Sequence, residues 1–118
     1  YDTGCSSSHV ALDAAFKAIR DGDCDSAIVI GCSLNLHPET YTKLQRAGQL
    51  SPGGRCHSFD AAGDGYARGE GCGALILRRK EEAGNDQERI LAILKSVAVS
   101  QDGKRLSISA TSGPAQQG

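Results

Sequence analysis

One cysteine stands between a glycine and three serines in the segment Thr-Gly-Cys-Ser-Ser-Ser-His, residues 3 to 9, directly before a stretch with helical periodicity. If the helix starts just after Cys5, unpaired backbone N–H groups and the positive helix end favour its thiolate, the form that attacks a carbonyl. Gly4 and the small serines also permit the tight strand-to-helix elbow that holds a nucleophile clear of its neighbours. Against this stands a plainer reading, a small buried residue at a tight turn, because free cysteine is among the most buried residue types. The local pattern leaves both open.

The remaining chemical candidates are weaker. Ser6, Ser7 and Ser8 lack the G-x-S-x-G spacing of a hydrolase elbow, and capping the following helix suits them better. Of the histidines, His9 falls on a polar helix stripe and His37 and His57 fall in loops, so none has a claim by spacing to pair with Cys5. There is no C-x-x-C, and the adjacent Cys56 and His57 are too close for a zinc pattern. The segment from Asp60 starts like a calcium loop, but Ala62 holds its third position and Gly71 its twelfth, where ligands belong. Residues 63 to 69, Gly-Asp-Gly-Tyr-Ala-Arg-Gly, have neither the spacing nor the lysine of a phosphate cradle.

The elements that would position Cys5 are readable from periodicity. From Ser8 to Arg20 the polar residues His9, Asp13, Lys17 and Arg20 recur at steps of four, four and three. That pattern predicts a mostly buried helix with one exposed stripe, an Asp13–Lys17 pair on the stripe, and a left-handed stop at Gly22. Ser26 to Ser33 is a short apolar run with β-branched residues, the pattern of a strand covered on both faces, so helix and strand together predict α/β layering. Pro38, Glu39 and Gly48 bracket a second, more polar and peripheral helix. From Leu50 to Gly73 the chain is too rich in Gly, Asp and Ser for regular structure and reads as a long, shaped loop. Cys72–Leu77 and Ile90–Val99 read as two neighbouring strands, although periodicity alone fits the second equally well to a helix.

Composition bounds the function classes. A chain of 118 residues has room for about one domain. Its 15 glycines concentrate between Gly48 and Gly73, where unusual backbone geometry is needed. Thirteen basic and 14 acidic residues give a net charge of −1, and aromatics are few, which argues against nucleic acid as a partner. No apolar run is long enough for a membrane span and no basic-then-apolar leader opens the chain, so a cytoplasmic setting is expected. Five irregularly spaced cysteines fit free thiols better than a disulfide framework. The lack of methionine, the start at Tyr1 and the loop-like ending suggest a piece of something longer.

Three segments, Asp2–Ser33, Arg46–Leu77 and Ser96–Lys104, together closely resemble the ketosynthase domain of modular or iterative polyketide synthases, with the likeness running from Asp2 to about Gln116. The cysteine–serine segment, the S-P-x-G-R-x-x-x-F-D segment and the G-Y-x-R-G-E-G segment occur in that family's order and spacing. The family is similar in turn to the β-ketoacyl synthases of fatty acid synthesis. The resemblance implies a thiolase-like fold, layered α-β-α-β-α, of which residues 1–118 form an internal fragment. That fragment begins at the nucleophile segment and ends before two downstream histidine motifs.

By the same resemblance Cys5 is the nucleophile that takes an acyl chain from the phosphopantetheine arm of an acyl carrier protein, and its backbone N–H is one oxyanion donor. No cofactor or metal is bound directly. The implied reaction is decarboxylative Claisen condensation of the acyl chain with a malonyl-type extender. The implied partners are the carrier protein, acyltransferase domains, acyl and malonyl-type thioesters, and a second copy in a homodimer. His9, His37 and His57 do not replace the downstream histidines. Gly4 and His9 often read Ala and Leu in the family, Gly53 often reads Asp, and the segment after Val99 is usually richer in Asn. Two other roles are considered within the same fold, a fatty-acid condensing enzyme and a non-catalytic subunit that shapes chain length or binds carrier protein. Retention of Cys5 argues against the second. A structural slice without activity of its own is the expectation for the isolated residues, with open strand edges and apolar faces that predict poor solubility.

Overall fold

The computed structural model describes residues 1–83, 90–104 and 112–117. A single turn of 3-10 helix, Gly4–Ser6, leads directly into α1, Ser7–Asp21. α1 ends at Gly22, which adopts φ 85°, and the backbone N–H of Gly22 and Asp23 return to Ile19 and Ala18. Only a residue without Cβ takes that left-handed geometry cheaply. The strand β1 then covers Ser26–Ser33, the apolar run read from the sequence. Pro38 fixes the first turn of α2, Pro38–Arg46, an exposed helix with Glu39 at its start and Lys43 and Arg46 in its last turn, both favourable to the helix dipole.

After a long loop the chain enters β2, Gly71–Arg78, the hydrogen-bonded neighbour of β1 in a two-stranded sheet. Two short helices follow, α3 at Lys80–Ala83 and α4 at Gly113–Gln117. The chain divides into two compact units, one of Tyr1–Val29 with Leu75–Gly118 and one of Ile30–Ala74.

Five sequence expectations are corrected. Asp13 is not on an exposed stripe: its side chain is 11% exposed, with Oδ2 accepting from Lys17 Nζ at 2.7 Å and Oδ1 without a hydrogen-bond partner among the described residues. Periodicity separates polar from apolar positions, but it does not say which polar positions the rest of the fold covers. The apolar residues of α1 are half-buried rather than core, and β1 is covered on one side only, with Val29 buried and Ile28 and Ile30 exposed. A sheet of two strands has no further layer among the described residues to close its other face. Residues 90–99 form neither strand nor helix, and Ile90, Leu91, Ile93, Leu94 and Val99 are exposed, since an extended run becomes a strand only beside a hydrogen-bonding neighbour. The N-cap of α1, Ser6, makes no side-chain capping bond.

Candidate functional site

The elbow around Cys5 is built from short polar residues within one turn of chain. Gly4 turns the backbone with φ 69°, and a Cβ added there would meet nothing within 4 Å. The turn therefore needs glycine for its dihedral and not for lack of room. Hydroxyls close it. The Thr3 N–H donates to Ser7 Oγ at 2.9 Å, Ser7 Oγ donates to the Gly4 carbonyl at 2.7 Å, and Ser6 Oγ donates to the Thr3 carbonyl at 3.0 Å. Thr3 Oγ1 and Ser6 Oγ lie 2.8 Å apart in a further hydrogen bond, and the Gly4 N–H donates to Asp2 Oδ1 at 3.4 Å. The serines thus bind backbone carbonyls before α1, where they fix the 3-10 turn, instead of capping the helix N–H groups.

Cys5 is the middle residue of that turn, exposed, with a free thiol, and α1 begins two residues later. Of the two sequence readings, display holds over burial. A thiol so placed is open to solvent, and the backbone N–H groups at the start of α1 lie next in sequence to it. His9 is exposed one turn into α1, so the stripe argument holds at that position. His37 is the residue preceding α2 and His57 lies in the glycine-rich loop, both in the unit of Ile30–Ala74. All five cysteines are free, and among the described residues no group of three His, Cys, Asp or Glu side chains is placed to hold a metal ion. No described helix is long and apolar enough to cross a membrane.

The glycine-rich segment, expected as a shaped loop, has its shape set by close backbone contact. Leu50 and Tyr66 form an isolated parallel bridge, with the Ser51 N–H donating to the Tyr66 carbonyl at 3.1 Å and the Tyr66 N–H donating to the Gln49 carbonyl at 3.0 Å. Gly65, at φ 143°, lies against that crossing, and a Cβ there would overlap the Ser51 nitrogen and the Leu50 carbonyl carbon. Leu50 and Ser51 are buried. His57 and Phe59 hold positive φ of 46° and 63° without being glycine, in turns closed by Asp60 N–H to the His57 carbonyl and Gly63 N–H to the Asp60 carbonyl.

A polar web that sequence reasoning missed fixes the far end of this loop. Arg68 Nε donates to Asn35 Oδ1 at 3.0 Å, Arg68 Nη1 donates to the Tyr66 hydroxyl at 3.3 Å, and the guanidinium carbon lies 5.6 Å from the centre of the Tyr41 ring. The Asn35 N–H donates to Glu70 Oε1 at 2.7 Å. Asn35 stands more than thirty positions before both Arg68 and Glu70, so no local periodicity signals these contacts. Beside them a shallow depression of about 470 Å³ is lined by Tyr41, Thr42, Gln45, Arg46 and Leu50, none of them among the residues singled out from the sequence.

Residues 1–83 match the family model of the β-ketoacyl synthase N-terminal domain. The chain is 46% identical over 116 residues to a phenolphthiocerol/phthiocerol polyketide synthase polypeptide of Mycobacterium tuberculosis, a match that covers 98% of the chain and 5% of that protein. It is 43% identical over 116 residues to the lovastatin diketide synthase of Aspergillus terreus, again 98% of the chain and 5% of that protein. Among solved structures, the ketosynthase from module 6 of the bacillaene synthase of Bacillus subtilis superposes with a TM-score of 0.94 at 42% identity, covering 98% of the chain and 21% of that structure. A ketosynthase domain of the oxazolomycin synthase of Streptomyces albus gives a TM-score of 0.84 at 48% identity over 87% of the chain and 18% of that structure. The chain thus spans about a twentieth of these curated relatives and about a fifth of the solved ketosynthases.

Proposed function

The chain belongs to the β-ketoacyl synthase family with a partial thiolase-like fold, and from that membership we propose that residues 1–118 are the nucleophile-bearing part of a ketosynthase domain in a polyketide synthase. One observation carries the reading to this chain's own residues: Cys5 is exposed on a hydroxyl-closed turn at the head of α1. In the proposed first step the Cys5 thiolate attacks the carbonyl of an acyl thioester on the phosphopantetheine arm of a carrier protein. The carbonyl oxygen takes up negative charge, stabilised in part by the Cys5 backbone N–H. The phosphopantetheine thiolate then leaves, and the acyl chain rests on Cys5.

In the second step a malonyl-type thioester loses carbon dioxide, and the enolate carbon attacks the acyl carbonyl on Cys5. The Cys5 thiolate departs and the β-ketoacyl product stays on the carrier. Sulfur suits both steps: exchange between thioesters is nearly isoenergetic, and a thioester carbonyl remains electrophilic enough for a carbanion. The groups that assist decarboxylation are assigned to the part of the family domain downstream of Gly118, so the 118 residues alone are expected to be inactive.

The test is a mass measurement on the full-length protein carrying this chain, incubated with a short acyl thioester and digested. One acyl adduct on the peptide containing Cys5, absent from a Cys5→Ala variant of unchanged circular dichroism, is the expected result. An adduct that survives Cys5→Ala, or none on the folded protein, overturns the reading.

A further inference from the structure

The Gly4 carbonyl takes two hydrogen bonds from a single residue. The backbone N–H of Ser7 closes the 3-10 turn onto it, and Ser7 Oγ donates to it at 2.7 Å. Ser7 Oγ is itself held in place, because it accepts the Thr3 N–H at 2.9 Å. The two acceptor positions of that carbonyl are thus both used. The carbonyl belongs to the Gly4–Cys5 peptide unit, whose other end is the Cys5 N–H, the group assigned above to the oxyanion. A peptide unit is planar, and this one is trans, so holding the carbonyl toward Ser7 aims the Cys5 N–H the opposite way, out of the head of α1. At the second position of the turn, that N–H is among the leading groups that a helix leaves without a carbonyl partner of its own.

We propose that Ser7 is a positioning residue for the oxyanion donor: its hydroxyl fixes and polarises the peptide whose N–H meets the charge developing on the acyl thioester. The proposal rests on the reading of Cys5 as the acylated nucleophile. A hydrogen bond at an amide oxygen draws the nitrogen lone pair toward the carbonyl, which makes the N–H at the other end a stronger donor, by roughly 10–30%. A donor aimed at an oxyanion is worth about 10²–10³ in rate. The Ser7 hydroxyl is therefore worth roughly two- to eightfold in the acylation of Cys5. Ser6 does not share this role, because its hydroxyl donates to the Thr3 carbonyl, one peptide earlier. Every bond in the arrangement lies within residues 3 to 7, so it is independent of what covers the outer faces of the chain.

The experiment compares two reactions of Cys5 in the full-length protein, each followed by mass on the peptide that contains Cys5. Acylation by acetyl-N-acetylcysteamine, a small thioester, places negative charge on a carbonyl oxygen. In alkylation by iodoacetamide the thiolate displaces iodide from a saturated carbon, and no oxyanion forms. Ser7→Ala is expected to slow acylation roughly two- to eightfold and to leave alkylation at the wild-type rate. Ser7→Thr, whose hydroxyl reaches the carbonyl three residues back in a helix, should return the ratio of the two rates to the wild-type value. Ser7→Val, with the shape of threonine and no hydroxyl, should match Ser7→Ala. An unchanged ratio in Ser7→Ala, a fall in both rates together, or equal ratios in Ser7→Thr and Ser7→Val overturns the proposal. Wild-type protein that is alkylated at Cys5 but never acylated there sinks the reading of Cys5 itself and the proposal with it, an outcome distinct from the other three.

Discussion

The elbow at Gly4 and the loop crossing at Gly65 both turn on a glycine with positive φ, yet for opposite reasons. At Gly4 the dihedral alone requires it, and the space where a Cβ would stand is empty. At Gly65 the neighbouring backbone fills that space. One region presents a side chain to its surroundings and is held by hydroxyls next to it in sequence. The other presents backbone to backbone and is held by partners far away. The loop should therefore be expensive to alter in stability, while the elbow should be cheap to alter in stability and costly in chemistry.

Gly65→Ala tests the contrast hardest. Overlap with Ser51 and Leu50 in addition to the unfavourable dihedral should cost about 3 kcal/mol or more, read as a lower denaturant midpoint or loss of soluble protein. Wild-type stability in that variant would remove the distinction. Arg68→Ala comes next. It deletes two hydrogen bonds and the contact with Tyr41, and should cost ~1–2 kcal/mol, measured in the same unfolding experiment.

Gly4→Ala should cost only ~1 kcal/mol, the strain of a left-handed residue with open space around it, and acylation of Cys5 followed by mass should slow without vanishing. A stability loss equal to that of Gly65→Ala would mean the elbow is as tightly packed as the loop. The smallest effect is expected at Asp21, whose carboxyl is held below its ordinary range by the hydrogen bond from Arg20, at 2.7 Å from Nε. A carboxyl with a lowered value in the folded state adds stability above the ordinary carboxylate range and loses it as pH falls through the lowered value. Since both side chains are exposed, Asp21→Asn should flatten only slightly the decline of the unfolding midpoint between neutral pH and about pH 3, and the two proteins should coincide in about 1 M salt.

The sequence was legible where structure is local. α1 follows from periodicity, β1 from its apolar run and α2 from the residues that bracket it, and Gly22, Pro38 and Gly4 mark turns that their covalent geometry explains. Cys5 was legible in two stages, its elbow from glycine and small residues, its role only through likeness to a family. Where several segments decide the outcome, legibility ended. The burial of Asp13 depends on what packs around α1, the open face of β1 on a layer that periodicity assumed, and the fate of residues 90–99 on a strand neighbour that no apolar pattern guarantees. The Arg68 web lay furthest out of reach, since Asn35 and Tyr41 belong to a different stretch of chain.

Among the described residues, the hydroxyls of Thr3, Ser6 and Ser7 draw their hydrogen-bond partners from residues 3 to 7. Such a turn is portable. A designer who moves Asp2–Ser8 to the head of an unrelated helix asks of the host only an unobstructed first turn, and carries along the displayed thiol, because the instructions for its placement are written within seven consecutive residues.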